Sequence, residues 1–310
     1  MNRVTVIIPT WLRANYLVRC LTALERQTRL PEEVIVVGRR EDILAQQVVA
    51  NFAKRSHLSV RWVEVDKPGH IAPIRRGLEE TKGEIVAFLD DDTEPERGWL
   101  QALLEPFMDP KVACVGGRVI TPNFRGKVHP DAGRIRWYGK HVGNIGALEA
   151  PAPVEVDGVP EGNCAWRVQI LRQLDFDPVF DFDDASMYGL DLCLQAKALG
   201  YRVIYYSAAR VVHHVAPRDP TLNRQDRPRR TFTYSRNYTY LAMKHFRGWR
   251  RISFMLWWWL IGVRGSYGAV LSIIDLILHG HKIWPILKSN FIGKWVGTKI
   301  WLKNCRNKVR

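Results

Sequence analysis

The first ninety residues alternate between short, wholly apolar runs and longer stretches in which apolar positions return every three or four residues. Residues 4–8, VTVII without its last neighbours Pro9-Thr10, form a β-branched run, the pattern of a buried strand followed by its exit loop. Behind it Leu17, Leu21 and Leu24 fall at i, i+4 and i+7, on one face of a helix. The alternation repeats: a strand over 34–37, a helix over 43–53, a strand over 60–65, a helix over 75–81 ending at Gly83, and a strand over 85–89. Strands that are apolar on both faces and separated by helices predict a mainly parallel, Rossmann-like sheet flanked by helices, an α/β fold. Ligands of such sheets bind beyond the carboxyl ends of the strands.

Downstream the pattern loosens. Residues 112–120 read as a strand, and 124–159, rich in Gly, Pro and His and without period, as a long loop region over the site. Helices are expected over 168–174 and 190–199, the second closed by Gly200, and two short strand-like runs over 202–206 and 210–213.

Charge divides the chain more sharply than hydropathy does. The 310 residues carry a net +15, yet residues 1–216 hold 27 Lys/Arg against 28 Asp/Glu, while 217–310 hold 19 Lys/Arg against three acids. Seven of the twelve tryptophans also lie beyond residue 217. The expected organisation is therefore one α/β domain, 1–216, and a basic, Trp-rich helical extension, 217–310. Its apolar runs, 252–263 before Arg264 and 265–278 broken by Asp275, are each shorter than the ~20 residues of a spanning helix. Flanked by RGWRR and by His279, His281 and Lys282, they fit an interfacial or re-entrant segment on a membrane surface, where anionic lipid attracts Lys and Arg. A span over 252–278 and a helical pair packed on the first domain are the alternatives. A basic third also suits nucleic acid, but runs such as FMLWWWLIGV suit lipid better, and no nucleic-acid partner is expected. Five widely spaced cysteines without metal-ligand spacing, and no signal peptide ahead of the first strand, point to reduced thiols and a cytoplasmic location, peripheral or monotopic on the cytoplasmic membrane face.

The chemistry concentrates in GEIVAFLDDDTEP, where the buried run 85–89 ends in Asp90, Asp91 and Asp92. Adjacent carboxylates repel and need neutralising. One of them can cap a helix starting near Pro95-Glu96. A divalent cation, Mg²⁺ or Mn²⁺, accounts for the cluster as a whole, because it takes carboxylate oxygens together with the phosphates of a substrate.

With VTVIIPTWLR and DLCLQAKALGYRV, this segment resembles the family-2 glycosyltransferases, which have the GT-A fold; the resemblance covers about residues 1–216. It implies inverting transfer of a sugar from a nucleotide-diphosphate donor to a hydroxyl acceptor, in polysaccharide or glycolipid synthesis, with a lipid-linked or saccharide acceptor. On the matching positions it implies donor-binding roles for Pro9, Thr10, Arg13, Arg75, Asp90 and Asp91, and metal ligands at Asp92 and His213. It also implies an acceptor-side turn at Glu161, Gly162 and Asn163. The base falls on Asp191, with Asp183 and Asp184 in reserve. Several places depart from the family pattern: Leu12 stands where Asn is usual, and Ile74-Arg75 where Arg-Asn is usual. Gly38, Arg39 and Arg40 stand where one or two aspartates usually end the second strand, with Glu41 and Asp42 just beyond. Tyr188 and Gly189 stand where a Glu-Asp pair often precedes the helix, so Asp191 is either the base or a structural aspartate of the helix start. A metal-dependent nucleotidyltransferase is the competing enzyme class, but PTWLRANYL lacks the glycines its signature loop would need.

Overall fold

The structure is a computed structural model that describes residues 3–122, 124–183, 186–216, 226–263 and 265–309. Contacts divide the chain into two units. The first gathers the described residues of Met1–Arg134, Val142–Phe176 and Tyr188–Pro217; the second gathers those of Ile135–His141, Asp177–Met187 and Arg218–Arg310. The division is not a single cut, since two short upstream segments fold with the C-terminal residues.

The first unit opens with the alternation anticipated from the pattern: β1 (Val4–Pro9), α1 (Ala14–Glu25), β2 (Glu33–Gly38), α2 (Ile43–Arg55), β3 (Val60–Glu64), α3 (Ile71–Glu80) and β4 (Ile85–Leu89). There follow β5 (Thr93–Pro95), α4 (Trp99–Leu104), β6 (Val112–Ile120), β7 (Val154–Glu155), β8 (Asn163–Arg167), α5 (Val168–Leu171), α6 (Tyr188–Ala198) and β9 (Arg202–His213). The sheet runs β3-β2-β1-β4-β8-β6-β9-β5, with β7 on β9. Strands β3, β2, β1 and β4 are parallel, β8 runs antiparallel to both β4 and β6, and β6 is parallel to β9. The sheet is thus mixed beyond β4. Successive β1 side chains part to opposite faces: Val6 and Ile8 pack with Leu17, Leu21, Leu24 and Phe52, while Ile7 packs with Leu78, Val86 and Trp166.

Three local expectations change. Helix α3 begins at Ile71, ahead of 75, because Pro73 lies in its first turn, where a missing N–H costs nothing. Residues 93–95 are not a helix start but strand β5, paired antiparallel with β9 through Thr93↔His213, Glu94↔Val212 and Pro95↔Val211. The runs 202–206 and 210–213 are one strand, which stays continuous because the register against β6 shifts between Gly117 and Arg118, absorbing the residues between Tyr206 and Arg210. Both of the latter changes come from pairing across the sheet, and together they bring the end of β9 alongside the end of β4.

The second unit contains α7 (Arg227–His245), α8 (Gly248–Leu260), a hairpin of β10 (Gly262–Val263) and β11 (Ser266–Tyr267), α9 (Ala269–His279) and α10 (Trp284–Val309). The two apolar runs are therefore separate helices joined by a hairpin. Helix α7 is buried over most of its length and packs on α10 at close range. A Cβ at Gly293 would lie 2.5 Å from the Phe232 carbonyl oxygen, and one at Gly297 2.4 Å from that of Arg236. Two small residues four apart are the pattern that lets helix backbones approach. Buried polar groups close the joint: Ser235 donates to Asn290 (2.9 Å), and the Lys294 ammonium donates to the carbonyls of Trp258 and Tyr267. Asp177 joins this unit through Tyr240 (2.7 Å) and Lys244 (2.8 Å). The segment Ala269–Arg306 is, by length and apolar composition, the one stretch among the described residues long enough to cross a membrane. It is interrupted at Gly280, whose φ of +60° ends α9.

Replacing Gly297 by Leu forces a branched side chain into backbone contact distance of α7. Overpacking of this kind costs about 1–3 kcal/mol, so Gly297→Leu is expected to lower the urea midpoint of the full chain, while Gly143→Leu, at a position where a Cβ meets nothing within 4 Å, leaves it within error.

Candidate active site

The carboxyl end of β4 presents the three aspartates in three different surroundings. Asp91 turns inward and is 3% exposed. Its carboxylate accepts from the Thr10 hydroxyl (2.7 Å) and from Arg13 Nη1 (3.0 Å). Burial pushes its carboxyl up, Arg13 and Thr10 pull it back, and the result is a pKa of about 6. Asp90 is exposed, whereas Asp92 is buried and its Oδ2 also lies 3.5 Å from Arg13 Nη1. With His213, Asp90 and Asp92 form a group in which one ligand atom from each lies within 4.8 Å of the others. His213 Nε2 stands 3.3 Å from Asp92 Oδ1, and the second oxygen, Oδ2, accepts from the Ala216 N–H at 2.9 Å. Burial pushes the Asp92 carboxyl up, but His213, the Ala216 amide and Arg13 outweigh it, so Asp92 stays below the usual carboxylate range and ionised.

This geometry follows from the strands. The Thr93↔His213 pairing sets His213 directly across from the residue after Asp92, and the Thr10–Val37 bond (N–H to carbonyl, 2.9 Å) extends β1 far enough to set the Thr10 hydroxyl beside Asp91. Arg13 is held by its place just ahead of α1, after Leu12, whose φ of +55° turns the chain. That turn is tied down by Asp42, which accepts from the Leu12 N–H (2.6 Å) and also caps α2 through the Ala45 N–H (3.2 Å). Two carboxylates and an imidazole suit a divalent ion such as Mn²⁺, and the donor atoms are close enough to share one. Asp90 thereby joins Asp92 and His213 as a potential ligand.

Other expected site residues fall as follows. Pro9 ends β1 beside Val37. Arg75 is exposed on α3, whereas Arg76 pairs with Glu80 at 2.7 Å. Arg39 stacks over Trp11 at 4.2 Å, and Arg40 pairs with Glu64 at 3.1 Å, so both arginines of the departing β2 loop have protein partners. Gly162 lies against Asp90: a Cβ there would meet Asp90 Oδ2 at 2.0 Å, and the Asp90 N–H donates to the Gly162 carbonyl (3.2 Å). Asn163 has its side chain inside the protein. It is fully buried, accepts from the Trp99 indole N–H (2.7 Å) and donates to the carbonyls of Arg118 and Ala209. Asp191 is 1% exposed in the first turn of α6 and accepts from Gln195 Nε2 at 2.7 Å. Asp183 belongs to the second unit, where Thr233 (2.8 Å) and Arg229 (2.7 Å) hold it; Asp184 lies outside the described residues. Asp42, just beyond the departing end of β2, is the N-cap of α2, and its place three residues before Ala45 is the sequence signal for that role.

Near Gly162 a small recess opens, lined by Ile74, Phe88, Glu161, Trp166, Tyr188 and Gly189 among others. Glu161 accepts from the Gly189 N–H at 3.0 Å.

Comparison with known proteins agrees with the fold. Residues 5–157 match the model of glycosyl transferase family 2. Residues 5–157 therefore form a glycosyl transferase family 2 domain, and the sheet with flanking helices is the GT-A fold. Among curated proteins it is 29% identical over 290 residues to a pre-mycofactocin glycosyltransferase of Mycobacterium tuberculosis, covering 90% of this chain and 57% of that one. The chain therefore spans little more than half the length of that relative. Among solved structures, a mannosyltransferase from Pyrobaculum calidifontis, in complex with GDP-Man and Mn²⁺, aligns with a TM-score of 0.58 at 18% identity over 95% of this chain and 86% of its own. S. aureus TarS, in complex with UDP-GlcNAc, aligns at 0.56 and 16% identity over 82% and 71%.

If Asp92 holds a cation, Asp92→Asn removes one ionised ligand and leaves the shape. Loss of even an outer partner of a metal site costs roughly 10–100-fold in affinity. Titration of the full chain with Mn²⁺, followed by electron paramagnetic resonance, is expected to show at least that weakening in the variant; equal affinity in both proteins would remove Asp92 from the site.

Proposed function

We propose that the chain is an inverting, metal-dependent glycosyltransferase that moves a sugar from a nucleotide-diphosphate donor to a hydroxyl group of a lipid-linked or saccharide acceptor, in polysaccharide or glycolipid synthesis. The observation that carries this reading is the Asp90, Asp92 and His213 group at the carboxyl end of β4 in a family-2 domain. Donor contacts are assigned to Pro9, Thr10, Arg13, Arg75, Asp90 and Asp91, and cation ligands to Asp92 and His213, joined by Asp90. When bound there, Mn²⁺ or Mg²⁺ supplies positive charge against the diphosphate as it leaves. Arg13, 3.0 Å from Asp91 and 3.5 Å from Asp92, keeps the acidic turn ordered and adds a second cation to a site built for phosphate. The mannosyltransferase solved with GDP-Man and Mn²⁺ supports the same class of donor and ion.

The second unit we read as the part that lies on a membrane surface. Helix α8 exposes Trp249, Ile252, Leu256 and Leu260, spaced along one face, and α9 exposes Val270, Ile273, Ile274, Ile277 and Leu278, with Ile277 78% exposed. Contiguous apolar surface of this kind on a strongly basic segment suits an anionic interface. A surface-bound enzyme meets lipid-linked acceptors in two dimensions, which favours that acceptor class.

Two measurements test the reading. Purified full chain is expected to release nucleoside diphosphate from at least one nucleotide sugar with Mn²⁺ or Mg²⁺, and both EDTA and Asp92→Ala are expected to stop it; release that survives either treatment would refute the metal-dependent reading. The full chain is also expected to float with vesicles containing phosphatidylserine, and Ile273→Glu/Ile277→Glu, at exposed positions, to stay at the bottom of the gradient. Equal sedimentation of both proteins would leave the apolar faces of α8 and α9 without a lipid role.

A further inference from the structure

We infer that Glu161 is the group that takes the proton from the attacking hydroxyl, and that Gly189 is glycine so that the Glu161 side chain can occupy its place. The inference rests on the glycosyl-transfer reading above.

The start of α6 carries two carboxylates with opposite surroundings. Asp191 is buried to 1% exposure, and one of its oxygens is taken by Gln195 at 2.7 Å. An acid in the first helical turn stabilises the helix through its dipole, and a carboxylate so enclosed has no open side toward a substrate. Glu161, just ahead of β8, is only half-buried and reaches across to the same helix start, where its Oε1 accepts from the Gly189 N–H. A Cβ built on Gly189 would lie 2.4 Å from Glu161 Cγ, 2.8 Å from Oε1 and 3.0 Å from Cδ. The Glu161 carboxyl therefore fills the volume into which a side chain on residue 189 would project. At this helix start the carboxylate arrives from the β8 side, onto a glycine.

Two further observations make this carboxylate a chemical group and not a helix cap alone. It is the sole acid among the residues lining the recess, whose walls around it are Ile74, Phe88, Trp166 and Tyr188. An apolar wall on one side and an amide N–H on the other hold the carboxylate in a fixed direction, as proton transfer requires. Its neighbour Gly162 rests directly on the Asp90 carboxylate, so a single residue joins Glu161 to the Asp90, Asp92 and His213 group. The negative charges of Glu161 and Asp90 both reach the Tyr188 hydroxyl, which burial first and these charges next push well above its usual range.

In the step assigned to it, Glu161 accepts the hydroxyl proton while a lone pair on that oxygen forms the new bond to the anomeric carbon. The bond from that carbon to the diphosphate oxygen breaks on the opposite face, its electron pair leaves with the diphosphate, and the proton on Glu161 returns to solvent.

The test uses the full chain, with water as acceptor and whichever nucleotide sugar the wild type consumes. Glu161→Gln is expected to lower turnover by ~10²–10⁴-fold, the usual worth of a general base, with calorimetric affinity for the nucleoside diphosphate and Mn²⁺ unchanged. Asp191→Asn is expected to lower the melting temperature and to keep more turnover than Glu161→Gln. Glu161→Ala/Gly189→Asp returns a carboxylate to the same place from the other backbone and is expected to recover turnover by at least roughly tenfold over Glu161→Ala; a role confined to capping α6 would give no such recovery. If Glu161→Gln fails to fold by circular dichroism, Glu161→Asp, shorter by one methylene, is expected to show an intermediate loss. Wild-type turnover in Glu161→Gln or Glu161→Asp, or loss of turnover only in Asp191→Asn, overturns the assignment while leaving glycosyl transfer standing. Failure of the wild type to consume any nucleotide sugar removes the glycosyl-transfer reading and this one with it.

Discussion

Three consecutive carboxylates at the end of a buried strand are tolerable only if each has its own counter-charge or donor, and the first unit is organised around meeting that requirement. Thr10 and Arg13 serve Asp91 from β1 and the loop behind it. His213 and the Ala216 amide serve Asp92 from β9. Gly162 leaves space for Asp90 from the turn before β8. Each of these partners comes from a different strand end, and the sheet order that brings β1, β4, β8 and β9 to one rim is what makes the cluster stable. Losing the partners of Asp91 or Asp92, which are both buried, would leave a desolvated carboxylate without compensation, the costly case for a buried charge; Asp90 is exposed.

The three acids are therefore not equivalent. Asp91 and Asp92 are both buried, Asp91 against Thr10 and Arg13 and Asp92 against His213 and the Ala216 amide, while Asp90 is exposed. The same division recurs nearby. Asp191 and Asn163 spend their polar atoms on internal partners, whereas Glu161 reaches over a glycine toward the recess.

The second unit follows another logic. Its buried joint is polar and close, with Ser235, Asn290 and Lys294 satisfied between helices and Gly293 and Gly297 admitting the α7 backbone. Its apolar side chains, in contrast, crowd the outer faces of α8 and α9. The unit still buries Tyr238, Leu241, Phe246, Phe254 and Trp258, so what needs a partner is the outer apolar surface of α8 and α9, and the proposed lipid surface accounts for it and for the basic charge together.

The strands through β4, the helices between them and the place of the acidic cluster were legible in the sequence, because period and β-branching act locally and the carboxyl end of a parallel strand is a generic place for a ligand. So was the chemical break near residue 217, which is a matter of composition. What the sequence could not settle depended on pairing between distant segments. The β5–β9 ladder turned an apparent helix start into a strand and carried His213 to Asp92; the shifted register against β6 made one strand of two runs. Which of three identical neighbours faces inward, that Asn163 is a clamp between Trp99 and two carbonyls, and that Glu161 and Gly189 share one volume are likewise facts of packing. Side-chain chemistry is written residue by residue, but direction and burial are set by strands far apart in the chain, and only the folded sheet decides them.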